Sequence, residues 1–164
     1  MKRFFLACLL CLASLPVFAQ ADPDAALKQQ VSTFIDGWHA DAANSRPAFF
    51  DKIARDGVYI GTDKKELWKR DDFKAWAKTA FERPTAWAFT PLRRNVYVSA
   101  DKSVIWWDEL LDTKMGTCRA SGVLHKVGNS FEIDHYQLSI AVPNGVSEKV
   151  ISTIGDYEAP LGAK

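Results

Sequence analysis

Three residue types in this chain could do acid–base chemistry inside an apolar pocket: a carboxylate at Asp108, an imidazole at His135 and a phenol at Tyr59. A carboxylate held among apolar groups is costly unless it is hydrogen-bonded, and its pKa tends to rise toward the range of a general base. Asp108 would then abstract a proton beside a carbonyl, while His135 or Tyr59 hydrogen-bonds the developing oxyanion. Nucleophilic chemistry at Cys118 lacks a neighbour that would lower the thiol pKa. His39, His125 and His135 lack metal-ligand spacing. No cofactor motif is present, so the catalytic reading needs neither metal nor cofactor. Aromatic residues are the other resource. The sequence holds six tryptophans. Trp38, Tyr59, Trp76 and Trp106, with Cys118 and Gln137, are candidates to line a binding pocket. For Trp38 and Trp76, on helix faces, core filling is the first reading and ligand contact the second.

Asp108 and His135 can meet only if the strands carrying them present the same face. Side chains alternate along a strand, and hairpin turns set the register. A two-residue hairpin at Gly128-Asn129 pairs Leu124 with Ile133, Gly122 with His135, Ala120 with Gln137 and Cys118 with Ser139. A hairpin centred on Lys114 pairs Trp106 with Gly122, Asp108 with Ala120 and Leu110 with Cys118. The face bearing Leu124, Phe131 and Ile133 should be the inner one, so Trp106, Asp108, Cys118, His135 and Gln137 would point into the core. Small mid-strand residues there leave room for a ligand. Trp107, Tyr136 and a Glu109–Arg119 ion pair would then lie outside. A one-residue slip in the Asp112–Gly116 loop puts Glu109 inside in place of Asp108.

The rest of the chain supplies helices before these strands. Asp22 and Pro23 open a first helix, with Leu27, Val31, Phe34, Ile35 and Trp38 on one face. A short second helix begins near Pro47, carries Phe49, Phe50 and Ile53, and stops at Gly57. Val58 to Ile60 reads as a short strand. Asp71 caps a third helix with Phe73, Trp76, Ala77, Ala80 and Phe81 as its apolar stripe. From Trp87 onward the apolar period becomes two, in segments at 87–90, 95–99, 104–111, 117–127 and 130–142. A final short helix is expected over Val146 to Ile154. Helices followed by antiparallel strands indicate an α+β fold with helices on one sheet face.

The N-terminus reads as a secretory signal: Lys2 and Arg3, an apolar run from Phe4 to Leu15, and Val17-Phe18-Ala19 as a small-x-small site. Cleavage after Ala19 or Ala21 fits equally. The run is too short for the roughly 20 residues a membrane span needs. The expected boundaries are 1–19 for the signal, 22–158 for one domain and 159–164 for a tail. Removing the signal takes away Cys8 and Cys11, leaving Cys118 without a disulfide partner. It also takes Lys2 and Arg3, so 21 basic residues become 19 against 20 acidic ones. That balance carries no electrostatic footprint for nucleic acid. The mature protein is expected to be periplasmic or secreted, with no membrane span.

Four stretches resemble a known family: Tyr59 to Asp63, Trp106 to Glu109, Gly116 to Gly122 and His135 to Ser139. With the order of elements, they are similar to the SnoaL-like group of nuclear transport factor 2-like proteins. The resemblance covers roughly residues 25–145. It implies a cone-shaped α+β barrel, in which a strongly curved antiparallel sheet wraps around N-terminal helices and leaves an apolar pocket between them. It also implies homodimers packed through the outer sheet face. The fold hosts both enzymes and binding modules. A pocket for a small apolar or aromatic molecule is the first functional expectation. An isomerase, cyclase or dehydratase using Asp108 and His135 is the second, and an interaction module acting through the sheet face is the third.

Overall fold

The computed structural model describes residues 22–161; the signal sequence expected at residues 1–19 lies outside them, as do the last three residues of the tail. Helix α1 (Ala25–Ala43) buries Val31, Ile35, Trp38 and Ala42, the face expected from the helical spacing. It stops where Ser45 adopts a positive φ of 51° and the Arg46 amide donates back to the Asp41 carbonyl.

Helix α2 (Ala48–Asp51) is a single turn, shorter than expected. Ile53 already belongs to strand β1 (Ile53–Ile60), so Gly57 sits inside a strand and does not end a helix. The reason is tertiary. β1 runs parallel to the last strand with an irregularity between Ile53 and Val58. At that point a Cβ on Gly57 would meet the Ile133 carbonyl oxygen at 2.7 Å. Strand β2 (Leu67–Lys69) returns along β1. The expected third helix divides into α3 (Arg70–Trp76) and α4 (Lys78–Phe81). Phe73 and Ala77 are buried, while Trp76 turns outward and is 52% exposed. Residues 84–89 are irregular, although Trp87 and Phe89 alternate like a strand; both pack against the core cluster.

Four long strands follow: β3 (Thr90–Val98), β4 (Ile105–Thr113), β5 (Gly116–Val127) and β6 (Ser130–Ile140). The sheet order is β2-β1-β6-β5-β4-β3, with every neighbouring pair antiparallel except β1–β6. This six-stranded sheet is curved and unclosed, and its concave face takes α1. Helix α5 (Ser147–Glu158) has no buried residue. Its last residue, Glu158, forms an ion pair with Lys64 in the β1–β2 turn.

Two details of register decide what the concave face holds. The β4–β5 turn is the two-residue Lys114-Met115, flanked by the pair Thr113–Gly116. Its centre lies half a residue beyond Lys114. Thr113 holds it: its hydroxyl accepts from the Met115 amide at 3.0 Å and donates to the Gly116 carbonyl at 2.9 Å. Gly116 supplies the positive φ of 85°. Trp107 therefore pairs with Gly122, Glu109 with Ala120 and Leu111 with Cys118, while Asp108 pairs with Ser121. The second detail is a bulge in β6. Pairing follows the Gly128-Asn129 hairpin from Val127–Ser130 to Leu124–Ile133, then shifts, so that Val123 meets His135 and Gly122 meets Tyr136. Asp134 is the extra residue. Beyond it Tyr136 and Leu138 point inward, and His135, Gln137 and Ser139 do not.

Candidate functional site

These two shifts correct the expected inner face. Trp106, Asp108 and His135 lie on the outer side of the sheet, and Trp107, Glu109 and Tyr136 lie inside, each no more than 1% exposed. Asp108 accepts hydrogen bonds from Asn95 Nδ2 at 3.1 Å and the Tyr97 hydroxyl at 2.9 Å. The outer-face concavity it lines is walled by Arg119, Ser121, Gln137 and Ser139, not by His135. Asp108 and His135 are thus not brought to one enclosed cavity. Trp106 stacks on Tyr97 at 5.5 Å between ring centroids, and both are about 40% exposed.

Glu109 does not pair with Arg119. It sits under α1 in a buried charge cluster. Its Oε1 is 2.9 Å from His39 Nε2 and 3.3 Å from Trp107 Nε1. Its Oε2 accepts from Arg94 Nε at 2.9 Å and lies 2.8 Å from a terminal guanidinium nitrogen. Because a carboxylate only accepts, the His39 proton on this side is on Nε2. Arg94 also donates to the Ser32 carbonyl at 3.0 Å and to Asp36 at 2.7 Å. The guanidinium thus ties α1 to the sheet. Burial alone would raise the Glu109 pKa, but the hydrogen bonds and charges of His39 and Arg94 outweigh it and hold the carboxyl below its ordinary value. Both oxygens are occupied and the group stays ionised. It is a structural anion, the opposite of a carboxylate tuned upward to act as a base.

An aromatic-lined cavity lies elsewhere. It has a volume of about 190 Å³ and is lined by Tyr59, Trp68, Phe73, Trp76, Trp87 and Phe89, with Leu138 and Met115 among the other contacts. Each aromatic arrives from a different piece of chain. Tyr59 comes from β1, Trp68 from β2, Phe73 and Trp76 from α3, and Trp87 and Phe89 from the irregular 84–89 segment. Phe73, Trp76 and Trp87 are close to parallel, and Trp68 is tilted against Trp76. Phe73 and Trp87 are 5.7 Å apart at 4°, Trp76 and Trp87 6.3 Å at 17°, and Trp68 and Trp76 4.5 Å at 33°. Tyr59 stacks on Phe73 at 3.9 Å. The fully buried Tyr59 phenol has its pKa pushed up, first by burial and then by the charge of Glu66. It stays protonated at physiological pH. The cavity's charged lining residues are Glu66 and Lys114.

Of the sequence-derived pocket residues, Tyr59 and Trp76 line this cavity. Trp38 and Cys118 belong to the closed core. Trp38 is stacked 4.9 Å from Phe49 and donates its indole N–H to the Phe49 carbonyl at 3.0 Å. Cys118 is wholly buried opposite Leu111. Trp106 and Gln137 face outward. Trp68, Phe73, Trp87 and Phe89 are lining residues that strand alternation could not reveal, because only one of the contributing segments is a long strand. The local signal was the density of aromatics between residues 68 and 89.

No match was found among curated proteins. Solved structures show the fold. A nuclear transport factor 2-like protein of unknown function from Pseudomonas putida superposes with a TM-score of 0.60 at 15% identity, covering 73% of this chain and 89% of that one. A candidate ketosteroid isomerase from Parabacteroides distasonis gives 0.55 at 15% identity, over 69% and 86%. A protein with a cystatin-like fold from Caulobacter vibrioides gives 0.54 at 13% identity, over 76% and 96%. The family model described as SnoaL-like domain matches residues 31–143, a span that runs from the buried face of α1 through β6, and this chain belongs to that SnoaL-like family.

Proposed function

We propose that this protein binds a small, flat, apolar or aromatic molecule in the aromatic cavity lined by Tyr59, Trp68, Phe73, Trp76 and Trp87. The observation that carries the reading is the near-parallel set of Phe73, Trp76 and Trp87 rings, with Trp68 tilted beside them, lining a cavity of about 190 Å³. Such rings offer π faces to a flat ligand, and a largely apolar concavity with few polar groups is the usual form of a small-molecule site. The half-exposed Trp76 covers apolar area that a ligand would bury. Chemistry at Asp108 with His135 has no support in the geometry, since the two do not share a cavity.

Indole is a suitable probe, and the protein's own tryptophan fluorescence is the readout, with titration calorimetry as the direct measure. Saturable binding is expected, weakened about tenfold or more in Trp76→Ala and unchanged in Trp106→Ala, whose side chain is on the outer face. Equal affinity in wild type and Trp76→Ala would remove the assignment.

We also propose that the protein acts after export. The basic, apolar, small-residue pattern of residues 2–19 supports this. Intact mass of the protein recovered outside the cytoplasm should equal the chain beginning at residue 20 or 22. A full-length mass there would refute cleavage.

A further inference from the structure

The aromatic cavity carries two opposite charges on its wall. Glu66 lies in the β1–β2 turn. Its carboxylate oxygen accepts from the Asp63 amide at 3.2 Å, while its backbone closes the turn through Gly61 N–H to Glu66 carbonyl at 2.9 Å. The side chain folds directly over Gly61, in the space a Cβ there would take. It is half-buried and makes no ion pair among the described residues. Lys114 is in the β4–β5 turn, exposed, and its ammonium has no hydrogen-bonded partner among the described residues. In the sheet, β6 and β5 separate β1 from β4, so the two charges reach the aromatic cavity from separate turns of the sheet.

A carboxylate beside tryptophan faces is the chemistry that recognises an organic cation, above all a methylated ammonium. Its spread charge is attracted by the rings and it cannot demand hydrogen bonds they lack. A free cation alone would meet Lys114 as a like charge. We infer that the site takes an organic zwitterion, with its methylated ammonium among Trp68, Trp76 and Trp87 on the Glu66 side and its carboxylate toward Lys114. This rests on the aromatic cavity being a ligand site, and it names the class of ligand.

Titration calorimetry with three compounds of one shape tests it. γ-Butyrobetaine carries both charges, butyltrimethylammonium only the cation, and 5,5-dimethylhexanoate only the anion, with a tert-butyl group in place of the ammonium. γ-Butyrobetaine is expected to bind about tenfold more tightly than 5,5-dimethylhexanoate and about threefold more tightly than butyltrimethylammonium. Glu66→Gln should weaken the two ammonium compounds and leave 5,5-dimethylhexanoate unchanged. Lys114→Met should weaken the two carboxylates and spare butyltrimethylammonium. Gly61→Ala, which displaces the Glu66 carboxylate, should act like Glu66→Gln. Equal affinity for γ-butyrobetaine and its tert-butyl analogue overturns the inference, as does indifference to both charge substitutions. If indole binds and none of the three compounds does, the inference fails and the aromatic site stands. If indole also fails to bind, both fall.

Discussion

Glu109→Ala is expected to destabilise the protein by about 3–5 kcal/mol, the range for removing one partner of a buried ion pair. The cost arises from what remains. The Arg94 side chain is only 8% exposed and its guanidinium would keep a buried charge without its carboxylate. Among the described residues, His39 would lose the only hydrogen bond its ring makes, and its Nδ1 has no partner there. Asp108→Ala, one residue earlier on the opposite face, should cost only about 1 kcal/mol, the worth of ordinary hydrogen bonds to Asn95 and Tyr97. Urea unfolding of the two variants measures the contrast, and similar losses in both would contradict the inward position of Glu109. The same carboxylate sets part of the acid sensitivity. Its folded pKa is held below the unfolded value, so the folded state binds this proton less readily than the unfolded chain. The stabilisation is therefore complete above the ordinary glutamate range, near pH 4.3, and is lost as pH falls through the lower folded value. The stability gap between wild type and Glu109→Gln should narrow across that acid window.

Trp107→Ala is expected to cost about 3–5 kcal/mol, and Trp106→Ala less than about 1 kcal/mol. Trp107 is 1% exposed, under α1 and 6.1 Å from the Tyr136 ring, whereas Trp106 is 41% exposed on the outer face. The room for Trp107 is made by Gly122, its cross-strand partner, where an added Cβ would come within 2.6 Å of the six-membered ring of the indole. Gly122→Ala should therefore cost about 1–3 kcal/mol through overpacking. In a Trp107→Phe background, which lacks that part of the indole, the added cost of Gly122→Ala should shrink, a non-additivity expected of residues in contact. Thermal unfolding of wild type, Gly122→Ala, Trp107→Phe and the double variant reads the coupling. Additive losses would mean that Gly122 and the indole do not meet.

The helix and strand order was legible where it rests on local physics, as in α1 and the last hairpins, and not in β2 or the 84–89 segment. The spacing of Val31, Ile35 and Trp38 makes one face of α1 apolar in any tertiary setting, and Gly128-Asn129 can turn a hairpin without help from neighbours. The inner face of β5 was legible for the same reason. Cys118, Ala120, Gly122 and Leu124 alternate with Arg119, Ser121 and Val123, and the small residues mark the side where something large must fit.

Chemistry on the neighbouring strand was not legible from alternation alone. Trp106-Trp107-Asp108-Glu109 puts one tryptophan and one carboxylate on each face, and Leu110 and Leu111 repeat the tie. Two registers one residue apart therefore bury nearly the same kinds of side chain, and hydrophobicity hardly separates them. The tertiary structure decides between them by what it brings to each carboxylate. Arg94 from β3 and His39 from α1 compensate a charge at position 109, and nothing equivalent waits for one at 108. The bulge at Asp134 is likewise a product of the whole sheet. It lets Ile133 and Tyr136 both reach the core, which strict alternation forbids. The aromatic cavity depends still more on tertiary assembly, since Tyr59, Trp68, Trp76 and Trp87 share no period. The sequence by itself determined that this chain makes helices, then a curved sheet with a small-residue concave face, because those features follow from local geometry. Only the packing of α1 and α3 onto that sheet determined which acid is a buried anchor and which rings line the cavity, because both depend on partners distant in the chain.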